Sequence, residues 1–137
     1  MALERPLPET DGLASTYWKA ASEGRLLLQR CTGCGKHQHY ARPLCVACGC
    51  RDLTWIASSG RGHVWSYTTV HRGPYDDLAT PYVVALVRLQ EGVVVLTHVV
   101  LVDPADVRCD MAVELTFQPL REGVQLPVFR PVPRAPS

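Results

Sequence analysis

The sequence predicts a mainly β protein in which an N-terminal helix and a zinc ribbon precede a five-stranded barrel of the OB type. Three observations support this prediction. Two Cys-x-x-Cys pairs, each followed by glycine, lie between Cys31 and Gly49. The chain that follows contains five short runs rich in β-branched and aromatic side chains. Residues 11–23, ahead of the cysteines, carry apolar side chains at helical spacing.

Length and composition limit the classes of protein to which this chain can belong. The chain has 137 residues, of which 47% are hydrophobic and 20% charged, and its net charge is +1. This is an ordinary globular balance without the basic excess of a nucleic-acid-binding protein. Residues 1–25 lack the apolar region of a signal peptide, and the apolar run 93–102 is too short to span a bilayer. We therefore expect a cytoplasmic protein with neither a nucleic-acid nor a membrane partner.

The first element is a helix over residues 11–23, within an N-terminal segment of residues 1–24. Asp11 is placed to cap its first turn, and Gly24 can end it in the left-handed conformation. So short a helix is unstable alone and must pack against its own core or another protein. Its aromatic side chains Tyr17 and Trp18 are the candidates for a partner interface.

The second element is the zinc ribbon, over residues 25–57. Its four predicted ligands are Cys31, Cys34, Cys45 and Cys48. Thiolates at i and i+3 can face one Zn²⁺ when the chain turns back tightly, and the following glycine permits that turn. Four protein ligands leave no open position, so the predicted metal is structural. Iron could occupy the same four-sulfur site in a heterologous host. Cys50 could compete as a ligand, but the knuckle spacing favours Cys48.

The ribbon is also basic. Residues 25–51 contain no acidic side chain, and their basic residues are Arg25, Arg30, Lys36, Arg42 and Arg51. Two interpretations stay open: these side chains offset the formal −2 charge of a zinc tetrathiolate, or they receive an anionic ligand such as a phosphorylated cofactor. Among the five histidines, His71 after the first barrel strand is the candidate for a ligand contact.

The barrel is expected over residues 58–131, followed by a tail over 132–137. Its five predicted strands are 64–70, 82–89, 93–101, 112–117 and 124–129. Gly60 and Gly62 suit a sharply bent strand at the barrel entrance. We interpret the paired carboxylates at 76–77 as part of a solvated loop. Cys109 has no base near it in the sequence, so we expect it to be a small buried apolar residue and not a nucleophile.

Several short motifs follow one another in a specific order. They are Glu23-Gly24-Arg25-Leu26, the two cysteine knuckles, Ser59-Gly60-Arg61-Gly62, Tyr67-Thr68, Pro81-Tyr82, Glu91-Gly92 and Pro127-Val128-Phe129-Arg130-Pro131. Together they resemble the acyl-CoA-associated proteins that join a rubredoxin-like zinc ribbon to an OB-fold, a domain-of-unknown-function family. The resemblance covers residues 15–131.

The resemblance implies an accessory role. Members of this family bind thiolase-like enzymes, including thiolases and the lipid-transfer-type aldolases that cleave steroid side-chain CoA esters, and some are fused to a hydratase. For this chain it implies a structural zinc, a non-catalytic subunit of a heterotetramer, and an acyl-CoA ester bound in the complex. The basic ribbon residues and His71 become candidates for CoA contacts. Two alternatives remain: a nucleic-acid-binding module, by analogy with other OB-folds and ribbons, and an independent small enzyme.

Overall fold

The computed structural model describes residues 3–133, so residues 134–137 of the expected tail lie outside the described part of the chain. Within these residues the chain forms one α-helix and eight strands. A 3₁₀ turn (Gly12–Ala14) precedes α1 (Ser15–Ser22), and a second one (Pro104–Asp106) separates the sixth and seventh strands. The strands are β1 (Leu27–Cys31), β2 (His37–Gln38), β3 (Leu53–Ala57), β4 (Arg61–Val70), β5 (Tyr82–Leu89), β6 (Val94–Val99), β7 (Ala112–Pro119) and β8 (Gln125–Pro131).

The start of the helical segment differs from the prediction. Asp11 precedes the 3₁₀ turn, but its side chain makes no capping hydrogen bond. Gly12 adopts a left-handed φ of 67°, so the following amides do not line up on the Asp11 carboxylate. The predicted stop is confirmed, since Gly24 has a φ of 82° and its N–H donates to the carbonyl of Ala21.

The ribbon is a three-stranded antiparallel sheet in the order β2-β1-β3. Its returning strand β2 is only two residues long. After Gln38 the chain turns towards α1, where the His39 ring lies 5.6 Å from that of Tyr17, so pairing with β1 ends.

The remaining strands close into a barrel in the order β4-β5-β6-β8-β7, with β7 returning to pair with β4. Four of the five pairs of neighbouring barrel strands are antiparallel, and the fifth pair, β6 and β8, is parallel. This is the Greek-key barrel of an OB-fold, so the predicted fold class is confirmed. Inward side chains alternate along β5, where Val83, Ala85, Val87 and Leu89 are all buried.

Two glycines shape the barrel entrance, for different reasons. Gly60 has a left-handed φ of 76°. Gly62 lies opposite Leu89, and a Cβ there would come within 2.4 Å of the Arg88 carbonyl oxygen. Position 62 therefore requires glycine because the backbone of β5 passes too close for a side chain. The strand β4 begins earlier than predicted, at Arg61.

The ribbon and the barrel meet at two of the motifs that the sequence singled out. The Glu91 carboxylate, in the β5–β6 turn, accepts hydrogen bonds from the Ser58 hydroxyl (2.9 Å) and the Ser59 N–H (2.8 Å). Ser58 in turn donates its N–H to the carbonyl of Leu26 at the base of β1. The Ser-Gly and Glu-Gly motifs thus form one junction between the two sheets.

One sequence interpretation was incomplete and another was wrong. The carboxylates at 76–77 lie in an exposed loop as expected, but Leu3 also donates its N–H to Asp76 (2.7 Å) and Arg5 donates its N–H to Asp77 (3.0 Å). These bonds fasten the N-terminal segment across the β4–β5 loop. Cys109 is exposed rather than buried, since it lies in a tight turn before β7 where the chain points outward. Within residues 3–133, no helix is long and apolar enough to cross a membrane.

Candidate functional site

The two cysteine knuckles repeat one backbone pattern. Gly35 donates its N–H to the carbonyl of Cys31 (2.9 Å), and Gly49 does the same to Cys45 (2.8 Å). Both glycines are left-handed, with φ of 77° and 80°, as the spacing predicts. In each knuckle a following N–H also reaches the first sulfur, from Cys34 to Cys31 and from Ala47 to Cys45, both at 3.4 Å. The two turns therefore present their thiols to each other in the same way.

The four sulfur atoms fit a tetrahedral zinc ion. They all lie within 4.8 Å of one another, and the cross-knuckle distances are 3.6 Å from Cys31 to Cys48 and 3.7 Å from Cys34 to Cys45. Sulfurs about 2.3 Å from a central Zn²⁺ would lie about 3.8 Å apart at the corners of a regular tetrahedron. Cys50 is outside this group, and its sulfur accepts the Asp52 N–H instead. The ribbon is thus built for a structural zinc with every position filled by cysteine.

The knuckle amides also favour the thiolate form of the first cysteine in each knuckle. The N–H of Cys34, together with further hydrogen bonds from Gly33 and the neighbouring thiols, lowers the pKa of Cys31 to about 6, although burial acts in the opposite direction. Hydrogen bonds from the N–H groups of Cys48 and Ala47 lower the pKa of Cys45. A thiolate is the form that ligates zinc.

Two buried glutamines hold the second knuckle against the sheet, and we call them the amide pair (Gln29 and Gln38). The Gln38 amide donates to the Gln29 side-chain oxygen (2.8 Å) and the Leu44 carbonyl (3.2 Å), and accepts the Val46 N–H (3.0 Å). The Gln29 amide binds both the N–H (2.8 Å) and the carbonyl (3.0 Å) of Arg42. Sequence reasoning missed this pair; the available signal was glutamine at strand positions expected to be buried.

An apolar cavity of about 640 Å³ lies between the N-terminal segment, α1, the start of the ribbon loop and the barrel. Tyr17, His39, Thr97 and His98 supply polar atoms to its wall. Burial raises the pKa of Tyr17 to about 12 and lowers that of His39 to about 4. Burial, and then the charge of Arg5, also lower the pKa of His98. These side chains are therefore uncharged at neutral pH, and the cavity favours an apolar ligand.

The candidate interface residues on α1 have different surroundings. Tyr17 packs against the barrel core and, edge to face, against Trp18 at 5.0 Å between ring centroids. Trp18 is half-buried at the rim of the apolar cavity.

The candidate anion-binding residues are all exposed but lie on separate elements. They are Arg25 after α1, Arg30 on β1, Lys36 in the first knuckle, Arg42 before the second, Arg51 after it, and His71 in the β4–β5 loop. Of these six, Arg25 forms an ion pair, at 2.6 Å with Glu23. The structure thus gathers the four cysteines at one point and leaves the basic residues distributed over the ribbon.

Comparison with known proteins assigns the family. The family model of the ChsH2 rubredoxin-like zinc ribbon domain matches residues 18–54, and that of the ChsH2 C-terminal OB-fold domain matches residues 55–118. A DUF35 domain-containing scaffold protein of Pyrococcus furiosus is 36% identical over 110 residues, covering 79% of this chain and 80% of the relative. The chain belongs to the DUF35 family.

Other relatives have different sizes. A Thermomonospora curvata protein named "Probable enoyl-CoA hydratase alpha subunit" is 37% identical over 134 residues, which are 97% of this chain but 42% of the relative. This chain therefore spans less than half of that protein. The benzoylsuccinyl-CoA thiolase subunit BbsA of Geobacter metallireducens is 36% identical over 93 residues, 67% of this chain and 61% of the relative.

A solved structure shows the same DUF35 architecture. A chain of the Ltp2–ChsH2(DUF35) aldolase superposes with a TM-score of 0.82 at 36% identity, covering 93% of this chain and 98% of that chain. The ribbon, barrel and helix are thus shared along nearly the whole length of both chains.

Proposed function

We propose that this chain is an accessory subunit that binds a thiolase-like acyl-CoA enzyme and helps to form its CoA-ester site. The observation that carries the proposal is the likeness to the DUF35 chain of the Ltp2–ChsH2(DUF35) aldolase, at a TM-score of 0.82 and 36% identity. The names of two relatives support the same role, since one is a thiolase subunit and another a scaffold protein.

The chemistry of this chain's own side chains supports a non-catalytic part. Four of its six cysteines form the closed zinc site, which has no position for a substrate or an activated water. Cys109 lies in an exposed turn, and the histidines of the apolar cavity have lowered pKa values caused by burial. The partner would therefore supply the catalytic groups.

The CoA ester is proposed to use two features of this chain. The largely apolar cavity suits an acyl group, and the Arg5 guanidinium lies at its wall. The exposed basic side chains of the ribbon suit the CoA phosphates, and Arg42 directly follows Ala41, which lines the cavity. In a steroid-degrading system the partner would be a lipid-transfer-type aldolase, and the reaction a retro-aldol cleavage of a β-hydroxyacyl-CoA side chain.

We further propose a heterotetramer of two accessory and two catalytic subunits, in the cytoplasm. Reducing conditions there would keep the ribbon cysteines available as zinc ligands.

Coexpression tests the partner. The tagged chain is expressed with each thiolase-like protein encoded by the same genome, and the eluate is analysed by size exclusion with light scattering. We expect one thiolase-like protein to co-elute in equal amount. Failure of every such protein to co-elute would contradict the accessory role.

Ligand titration tests the CoA-ester site in the complex that forms. Arg42→Ala should weaken acyl-CoA binding about tenfold or more, since a charge-assisted hydrogen bond to phosphate contributes about 1.5–3 kcal/mol. Arg108→Ala, at an exposed arginine in the turn before β7, is the matched control and should bind as wild type. Equal affinities for the two variants would remove Arg42 from the site.

A further inference from the structure

The segment that joins β2 to the second knuckle exposes several large apolar side chains, and we call it the ribbon arch (residues 40–46). Tyr40 is 57% exposed, Leu44 37% and Val46 70%, all within seven residues of chain. Other exposed apolar side chains, such as Leu96 and Leu101, come from β6 and the turn after it. Several exposed apolar side chains on one loop indicate an interaction surface more strongly than single exposed residues do.

Buried side chains fix the backbone of the arch. The amide pair binds its backbone at Arg42, Leu44 and Val46 through four hydrogen bonds of 2.8–3.2 Å. Cys45, at its far end, is buried and belongs to the zinc site. The loop is therefore ordered before any partner arrives, which lowers the entropic cost of binding through it.

The arch carries positive charge. Arg42 is its charged residue, and no acidic side chain occurs between residues 25 and 51 of the sequence. The composition of the arch, with tyrosine and arginine beside aliphatic side chains, is that of residues that dominate binding energy at protein interfaces. A complementary surface would be apolar at its centre and carry carboxylates at its rim.

We propose that the ribbon arch is the surface through which this chain docks on its thiolase-like partner, and that the partner presents an apolar patch rimmed by carboxylates. This inference rests on the proposed function and adds the docking surface to it. On α1, by comparison, Tyr17 is turned onto the barrel core, which leaves Trp18 as the half-exposed aromatic side chain there.

The test uses the thiolase-like protein that co-elutes with the wild-type chain as its probe. Val46→Asp places a charge in the apolar surface, and Tyr40→Ala removes its aromatic ring at a position that does not flank a zinc ligand. Each should raise the dissociation constant measured by biolayer interferometry about tenfold or more. Leu101→Asp is the matched control, because Leu101 is 75% exposed on the barrel, and it should stay within about twofold of wild type.

Zinc content and circular dichroism equal to wild type show that each variant is folded. If Val46→Asp loses zinc, Tyr40→Ala decides the outcome. Binding within about twofold of wild type by the folded arch variants would overturn the docking surface while leaving the accessory role intact. If the wild-type chain retains no thiolase-like protein, the proposed function itself fails. Self-association of the wild-type chain that Tyr40→Ala abolishes would assign the arch to a second copy and overturn the proposal.

Discussion

Replacing Gln38 by leucine removes the amide pair with little change in side-chain volume. Gln38 is 8% exposed, and its side chain makes three hydrogen bonds, to Gln29, Leu44 and Val46. A net hydrogen bond contributes about 1 kcal/mol, and a buried group left unpaired costs about 1–3 kcal/mol. Water can reach the backbone of the exposed Val46, so we expect a loss of about 2–3 kcal/mol in the free energy of unfolding.

The assay is equilibrium urea unfolding of zinc-loaded protein at one fixed free zinc concentration, because bound metal adds its own stabilisation. Gln90→Leu is the control: Gln90 is exposed in the β5–β6 turn, and this change should alter stability by less than about 0.5 kcal/mol. If Gln38→Leu also falls within about 0.5 kcal/mol of wild type, the amide pair does not stabilise the ribbon and its proposed support of the arch is refuted.

Three further predictions concern the metal, pH and barrel packing. Cys48→Ser should reduce zinc measured by atomic absorption from about one ion per chain to nearly none and unfold the ribbon, because a closed structural site contributes folding energy directly; metal-free protein with an intact ribbon would contradict this. His39 has a folded-state pKa of about 4 against 6.5 in the unfolded chain, so the unfolded state binds more protons below pH 6.5. Stability should therefore fall by up to about 3 kcal/mol as pH drops from 6.5 to 4, and His39→Phe should show that much less acid destabilisation than wild type; parallel pH profiles would exclude His39 as the cause. Gly62→Ala should destabilise the barrel by more than about 2 kcal/mol, because its Cβ would meet the backbone oxygen of Arg88 at 2.4 Å. Gly73→Ala, where the nearest atoms belong to the Tyr82 ring at 3.1 Å, should cost less, and thermal melting compares the two.

Local chemistry explains which elements could be predicted from sequence. The knuckles depend on residues only three apart and on glycines with left-handed φ, so their spacing predicts their geometry. The strand β5 matches its predicted bounds, 82–89, because its inward and outward side chains alternate without interruption. Element types were therefore accessible, and so was the barrel they build.

Contacts between distant parts of the chain could not be predicted in the same way. Asp77 binds Arg5, which is 72 positions away, and nothing in the local sequence distinguishes it from a solvated loop carboxylate. His39 is buried because α1 lies over it, which depends on how the helix packs rather than on its neighbours in sequence. The same applies to the amide pair, whose partners are backbone groups of the arch.

The basic residues illustrate a further limit. One of the two interpretations of their clustering in sequence was an anion site, yet the ribbon folds them onto separate elements around the zinc knuckles. Whether they act on one ligand depends on the surface that the partner adds, which the sequence of this chain does not contain.

The central claim is that this chain is a subunit of a thiolase-like enzyme, and native mass spectrometry of the coexpressed proteins tests it most directly. We predict one assembly that contains two copies of the 15.1 kDa chain, two zinc ions and two copies of a thiolase-like protein. A spectrum with the zinc-loaded chain alone, beside every thiolase-like protein unbound, would contradict the account.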